Sequence, residues 1–308
     1  MLINQRRPTV AVLMATYNGS PWINDQIDSI LNQTSVDITV YVSDDMSEDA
    51  TYTYLLDRAE VSSQLIILPQ KERYGSAGKN FYRLIKDVNT TDFDYIAFAD
   101  QDDIWDQHKL IRHIKLMQDN NVCAVSSNVI AFWPDGKTKL IDKSQPQREL
   151  DFLFESAGPG CTFLMTSWLV SEVKKLLIDS SSVASQVALH DWLVYAVCRA
   201  SGKKWLIDSK PSLHYRQHDK NVVGANSGLK AMLSRLRKVS NGWYRREVLK
   251  VLAVSYQLSN NPKLLNISSL LEKSDVVSRI KLLRFIPQAR RKMTDCLFLA
   301  LMIIFGLF

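Results

Sequence analysis

The sequence predicts an α/β protein: flanking helices cover a mixed, mainly parallel sheet, and a helical extension follows at the C-terminus. Three observations carry that prediction. Short apolar runs alternate with amphipathic stretches through the first half of the chain, which implies right-handed βαβ crossovers. Three of those runs end in polar residues, Thr16-Tyr17-Asn18-Gly19, Ser43-Asp44-Asp45 and Asp100-Gln101-Asp102-Asp103. Ligands of a parallel sheet collect at the carboxyl ends of its strands. Beyond Gly228 the strand-like runs give way to helical ones.

Residues 9–15 form a continuous apolar run, as a strand buried on both faces requires. Ser20 and Pro21 read as an N-cap and first-turn proline opening a helix to about Gln33, with Ile23, Ile27, Ile30 and Leu31 on one face. A second strand is expected over residues 38–42, a helix over 49–60 and a third strand over 65–68. Phe81, Leu84, Ile85 and Val88 mark the inner side of the next helix, ahead of a strand over 95–99. After a helix over 107–118, residues 122–132 read as one strand turning at Pro134-Asp135-Gly136. Gly158 and Gly160 precede another strand and allow backbone to approach a ligand closely. A helix over 170–178 follows, and His190-Asp191-Trp192 open an apolar helical run to Cys198. A short strand over 205–207 and an extended segment holding His214 and His218 complete this part.

At 308 residues, with 46% hydrophobic and 23% charged residues, the chain has the composition of a folded protein larger than one ordinary domain. The expected division is residues 1–225 and 226–308. Residues 1–228 carry 23 Lys and Arg against 28 Asp and Glu, a net of −5, whereas residues 229–308 carry 15 against 4, a net of +11. The acidic larger part argues against a nucleic-acid binder, because phosphate backbones are gripped by Lys and Arg. Cys123, Cys161, Cys198 and Cys296 show no CxxC spacing and suit free, buried thiols in a reducing compartment. The Arg6-Arg7 pair precedes an apolar run too short for a signal peptide, so a cytoplasmic catalytic part is expected.

Asp100, Asp102 and Asp103 crowd the tip of a strand, where each carboxylate raises its neighbours' pKa unless a cation sits among them. Oxygen ligands of this kind suit Mg2+ or Mn2+, with substrate phosphates completing the shell. No GxGxxG follows the first strand and no GxxxxGK[ST] occurs anywhere, which removes ordinary dinucleotide and P-loop readings. In the extension, Leu229, Met232, Leu233 and Leu236 share a face, as do Val276, Ile280 and Leu283, beside many Lys and Arg. Residues 296–308 are uncharged but too few to span a bilayer, which takes ~20 residues as a helix. These helices are therefore expected to lie on an anionic membrane surface. The alternative is that they pack on the catalytic part or on a second subunit of a homo-oligomer.

Thr16-Tyr17-Asn18-Gly19, Ser43-Asp44-Asp45, Asp100-Gln101-Asp102-Asp103-Ile104-Trp105, Gly158-Pro159-Gly160-Cys161, His190-Asp191-Trp192 and Tyr215-Arg216-Gln217-His218 occur in one order. Over roughly residues 8–225 the chain resembles family 2 glycosyltransferases of GT-A fold, most closely their bacterial rhamnosyltransferase branch. The resemblance implies a nucleotide-sugar donor, dTDP- or UDP-linked, held by Thr16, Tyr17, Asn18, Asp44, Asp45, Gly78, Asn80 and Asp100. It implies a metal, Mg2+ or Mn2+, on Asp102 with His218, and a catalytic base at Asp191. The position before that base, usually Glu, is His190. Gly158, Gly160 and Trp192 would face a glycan or lipid-linked acceptor. The QxxRW element of processive polymerases is absent, which implies transfer of one sugar at a time. The expected activity is inverting transfer of a sugar such as rhamnose onto a lipid-linked or cell-surface polysaccharide, at the cytoplasmic face of the inner membrane. A sugar-phosphate nucleotidyltransferase is the competing enzyme class, but Thr16-Tyr17-Asn18-Gly19 lacks the basic residue that would hold a triphosphate.

Overall fold

The computed structural model describes residues 6–218, 241–273 and 275–308. The expected division at residues 225/226 and the stripe of Leu229, Met232, Leu233 and Leu236 lie outside them. The alternation read from the sequence is present: β1 (Thr9–Thr16), α1 (Ile23–Leu31), β2 (Asp37–Asp44), α2 (Thr51–Val61), β3 (Leu65–Ile67), α3 (Ala77–Asp87) and β4 (Tyr95–Ala99). β1 lies between β2 and β4, parallel to both, with Thr16 level with Asp44 and Met14 level with Ala99. The tips of the three strands therefore share one edge. Residues 10–14 of β1 are fully buried, which explains why that strand reads as an unbroken apolar run.

β5 (Ile104–Trp105), α4 (Lys109–Asn120), β6 (Ala124–Ser127), β7 (Val129–Phe132), β8 (Thr138–Ile141), β9 (Leu164–Thr166), α5 (Ser167–Ile178), α6 (His190–Ala200), β10 (Trp205–Asp208) and β11 (Leu213–Arg216) follow. The seven-stranded sheet runs β10-β6-β9-β4-β1-β2-β3, and β9 is antiparallel to both its neighbours. A second sheet, β5-β11-β7-β8, stands beside it.

Two expectations need correction. Residues 122–132 are not one strand: Asn128 separates β6 in the large sheet from β7 in the small one. Its amide donates to Ser209 O at 2.8 Å and accepts from Lys143 N at 2.6 Å, so side-chain bonds replace the ladder where the sheets part. Helix α1 starts at Ile23, because a turn in which Gly19 O accepts from Trp22 N and Ile23 N uses up Ser20 and Pro21.

The C-terminal helices are α7 (Trp243–Ser259), α8 (Pro262–Lys273), α9 (Val276–Leu282), α10 (Ile286–Ala289) and α11 (Met293–Ile304). Val248, Val251, Ile267, Leu282, Ala289 and Leu299 join one continuous core with residues of α3, α5 and α6. Arg291 and Asp151, both buried, pair at 3.2 Å; Arg199 reaches the same carboxylate at 3.1 Å and Tyr195 donates to it. The outer side is different. Val276, Val277 and Ile280 on α9 and Met293, Leu297, Leu301 and Ile304 on α11 stay exposed, and Arg279 of α9 lies against Gly306 just beyond α11. Val276 and Ile280, expected to share an apolar stripe, point outward, while Ser278 and Leu282 point in. Among the described residues no helix is long and apolar enough to cross a membrane.

Candidate active site

At the tips of β1 and β2, Thr16 Oγ1 donates to Asp44 Oδ1 at 2.9 Å, and Asp44 also accepts from Ser47 N at 2.8 Å and Gln70 Nε2 at 2.6 Å. Asp45 donates its N–H to Thr16 O at 2.8 Å, and its carboxylate accepts the N–H of Tyr74 and of Gly75. It thereby ties the loop after β3 to the tip of β2. Asn18, at φ +49°, donates to Ser47 Oγ and accepts from Glu48 N. The backbone of Tyr17 is gripped from both sides by Gln101, N to Oε1 at 2.8 Å and O to Nε2 at 2.9 Å. Arg73 reaches the Tyr17 hydroxyl and lays its guanidinium 4.8 Å over the ring. Asn80 braces this edge from within, its amide reaching Thr16 O at 3.4 Å, and Gly78 lies just before it on α3. Asn80 is buried and gives its amide to Ser43 O at 2.8 Å while accepting from Ser43 Oγ; a Cβ on Gly78 would fall 2.3 Å from Ala188 O. Both residues are buried where α3 packs beneath the strand tips.

Beyond β4 the acidic cluster is split by environment. Asp102 Oδ2 lies 2.7 Å from His218 Nε2, and the His218 ring stacks on Trp22 at 3.9 Å. Burial raises the Asp102 pKa, and His218 opposes the rise. Asp103 points inward, fully buried, with Oδ1 accepting from Arg216 N and Oδ2 without a partner among the described residues. Burial and then Asp102 and Asp100 push its pKa well up. Asp100 is pushed up to about 7 by burial, then by Asp102, then by Asp191. Beneath them Lys109 is buried, donates to Cys161 O at 2.6 Å and sits 3.1 Å from the centre of the Trp105 ring. Burial lowers its pKa to about 7, and the thiol of Cys161, Asp103 and Asp100 pull the other way. The sequence carried a sign of this residue: Lys109 occupies the face of α4 that also holds Leu110, His113, Ile114 and Met117.

Asp191 approaches from the opposite wall, on the first turn of α6. A Cβ on Gly160 would lie 3.4 Å from the Asp191 Cβ and 2.6 Å from His190 Nε2, while the adjacent Cys161 lies beside Asp100 and Asp103. One dipeptide thus touches both carboxylate sets. Burial lifts Asp191 to about 6; the N–H of Trp192, 2.8 Å from Oδ1, the Ser156 hydroxyl and the charge of Lys143 hold it below what burial alone would give. His190 stacks on Phe81 at 3.9 Å, and burial lowers its pKa to about 3, so the ring is neutral packing. Trp192 is buried and donates Nε1 to Phe152 O at 2.9 Å. Its place is in the core, which corrects the expectation that it faces an acceptor. Gly158, at φ +143°, packs against the stem of Lys143.

The donor set fits a hard divalent cation. Asp102, His218 and the half-open Asp100 offer oxygen and nitrogen at the cleft. Asp100, Asp103 and Cys161 also come within 4.8 Å of one another, but burial pushes the Cys161 thiol well up, keeping it protonated and a poor ligand. Asp45 lies at the same sheet edge as the Asp100 cluster, and Asp191 faces it.

Comparisons with known proteins bear on the family and the fold. The family model described as glycosyl transferase family 2 matches residues 11–168. The chain is 42% identical over 297 residues to the dTDP-rhamnosyl transferase RfbG of Shigella flexneri, covering 96% of this chain and all of that one. It is 28% identical over 154 residues to the UDP-Glc:alpha-D-GlcNAc-diphosphoundecaprenol beta-1,3-glucosyltransferase WfgD of Escherichia coli, covering 49% and 57% of the two chains. Among solved structures, S. aureus TarS 1–349 aligns with a TM-score of 0.57 at 13% identity over 97% of this chain and 80% of that one. The mannosyltransferase PcManGT of Pyrobaculum calidifontis, in complex with GDP-Man and Mn2+, aligns at 0.53 and 16% identity over 98% and 86%.

Proposed function

The chain belongs to glycosyl transferase family 2 and is a glycosyltransferase of GT-A fold, and from that premise we propose that it moves rhamnose from a dTDP donor onto a lipid-linked glycan, with inversion and one sugar at a time. The observation that carries the mechanism is Asp191 close enough to raise the Asp100 pKa, with Gly160 beside Asp191 and the adjacent Cys161 beside Asp100.

Inverting transfer is an in-line displacement: the acceptor oxygen bonds to the anomeric carbon as the carbon–oxygen bond to the nucleoside diphosphate breaks. Asp191 accepts the hydroxyl proton. With a pKa of about 6 it is ionised at neutral pH, yet more basic than an exposed aspartate. The edge of Thr16, Tyr17, Asn18, Asp44 and Asp45 holds the nucleoside, with the Tyr17 ring and Arg73 offering a face for the base. Asp102 and His218 would hold Mg2+ or Mn2+, which supplies Lewis-acid stabilisation for the charge on a departing diphosphate. Asp103 and Lys109 brace these carboxylates from below.

We further propose that the exposed apolar side of α9 and α11, rimmed by Lys281, Arg284 and Lys292, rests on an anionic membrane surface. An Ile280→Ser/Leu297→Ser/Leu301→Ser variant should lose binding to phosphatidylglycerol vesicles in a sedimentation assay, because each buried large aliphatic side chain contributes roughly 1.5–3 kcal/mol. Unchanged sedimentation would refute the membrane assignment. The donor assignment is tested by thermal shift with dTDP, UDP and nucleoside triphosphates, with and without Mn2+. Stabilisation by dTDP only with metal is expected; a response confined to triphosphates would favour nucleotidyl transfer instead.

A further inference from the structure

Between Asp191 and the apolar side of α11 lies a group of cations that the donor chemistry does not use. The stem of Lys143 runs along Gly158, where a Cβ would lie 3.7 Å from its Cβ and Cγ, and its backbone N–H is anchored to Asn128 Oδ1 at 2.6 Å. The other face of the same loop meets Asp191 through Ser156 and Gly160. From the C-terminal side, Arg291 donates to Ser156 O at 2.6 Å, and Ser156 Oγ donates to Gly158 O at 3.1 Å. The sequence of two distant segments is thus brought to one wall. Burial lowers the Lys143 pKa most; Glu155 then raises it, and Arg290, Arg291 and Lys292 stand close enough to lower it further.

Apart from Asp191, whose pKa the charge of Lys143 holds down, the carboxylates nearby are taken. Glu155 and Asp295 pair with Arg290, and Asp151 and Glu155 pair with Arg291. The ammonium groups of Lys143 and Lys292 have no hydrogen-bond or ion-pair partner among the described residues. Holding unpaired cations together costs electrostatic energy unless an anion joins them. Met293, directly after Lys292, is 65% exposed and begins the apolar side of α11. Base, cations and lipid-facing surface therefore follow one another along a single wall.

We propose that Lys143 and Lys292 bind the phosphate or diphosphate that joins the acceptor sugar to its lipid, holding the sugar hydroxyl toward Asp191 while the lipid tail leaves along α11. This deepens the functional reading above and rests on it. The diphosphate is a second one, separate from that of the donor, and the two lysines contribute to acceptor binding without touching the reacting atoms. A neutral acceptor would leave both ammonium groups without a hydrogen-bonded anion among the described residues.

The test uses the full-length protein with dTDP and Mg2+ saturating, so that the donor's diphosphate position is filled, and titrates farnesyl diphosphate by calorimetry. Wild type should bind it and should not bind farnesol comparably. Lys143→Gln/Lys292→Gln should weaken farnesyl diphosphate about tenfold per lysine, as expected for lost hydrogen bonds to a charged group, with dTDP affinity and melting temperature unchanged. Equal affinity in wild type and variant, or equal binding of farnesol, would overturn the proposal. So would a Lys143→Gln variant that loses phosphatidylglycerol vesicles but keeps farnesyl diphosphate, since the lysine would then be a bilayer contact. Wild type that takes up farnesyl diphosphate but not dTDP, with the uptake lost in Lys143→Gln/Lys292→Gln, would sink the donor assignment and leave the lysine site standing.

Discussion

The two walls of the cleft are built on opposite rules. On the donor wall the polar groups are already engaged with the protein: Asp44 accepts from Thr16, Ser47 and Gln70, Asp45 from Tyr74 and Gly75, and Gln101 clasps Tyr17. On the acceptor wall Lys143 and Lys292 stay without such bonds, and Asp191 is raised in pKa by burial. A wall whose side chains are locked presents a fixed shape at little entropic cost, which suits a ligand that is the same in every turnover. A wall of unpaired charge waits for the partner that completes it. On the proposed reading, the contrast assigns shaping of the site to the bound-up residues and acceptor binding to the two lysines.

Breaking the contrast at Asp191 should have the largest effect. Asp191→Asn is expected to lower kcat by ~10²–10⁴-fold, the usual contribution of a general base, with dTDP affinity unchanged in a binding isotherm. A large loss of dTDP binding would place Asp191 on the donor wall instead. Next comes His218→Ala, which removes the 2.7 Å bond to Asp102 and should raise the Mn2+ concentration needed for half-maximal dTDP binding about 10–100-fold. A metal titration checks it; an unshifted midpoint would separate His218 from the metal.

The pH profile sharpens the comparison further. Because Asp191 must be ionised to accept a proton and carries a pKa of about 6, kcat should fall about tenfold per unit below that value and level off above it. Its effect on stability has its own sign. The folded state keeps the proton between the ordinary 3.8 and about 6, so unfolding free energy declines as pH rises through that window. Asp191→Asn should flatten both dependences. The smallest effect is expected at Asn80. Asn80→Ala leaves Ser43 O and Ser43 Oγ short of partners in the core, costing about 1–3 kcal/mol in chemical denaturation, while dTDP affinity of the folded protein stays near normal. A selective loss of dTDP affinity would place Asn80 on the donor wall.

What the sequence made legible follows from period and position. Unbroken apolar runs ending in Thr16, Asp44-Asp45 and Asp100 locate strand tips, and parallel order puts tips on one edge, so that shared edge could be read in advance. Asn80, Gly78 and Trp192 could not, because a polar or aromatic residue beside a motif looks the same whether its atoms meet a ligand or a neighbouring strand's carbonyl. The break at Asn128 was hidden for a similar reason, as residues on both sides of it suit a strand. Lys143 sits in a loop without periodicity, and only the packing of the C-terminal helices brings the charge of Lys292 to bear on it, so no local pattern marks the pair.

The buried contact between Arg291 and Asp151 reaches beyond packing. Deleting the C-terminal helices would strand a carboxylate in the interior with Arg199 as its one remaining guanidinium and would strip Leu282, Ala289 and Leu299 from the shared core. A shortened enzyme would therefore fail by losing its footing, so the proposed membrane contact is tested only by changes confined to the outward side chains. The C-terminal helices are a foundation of the sheet-bearing part.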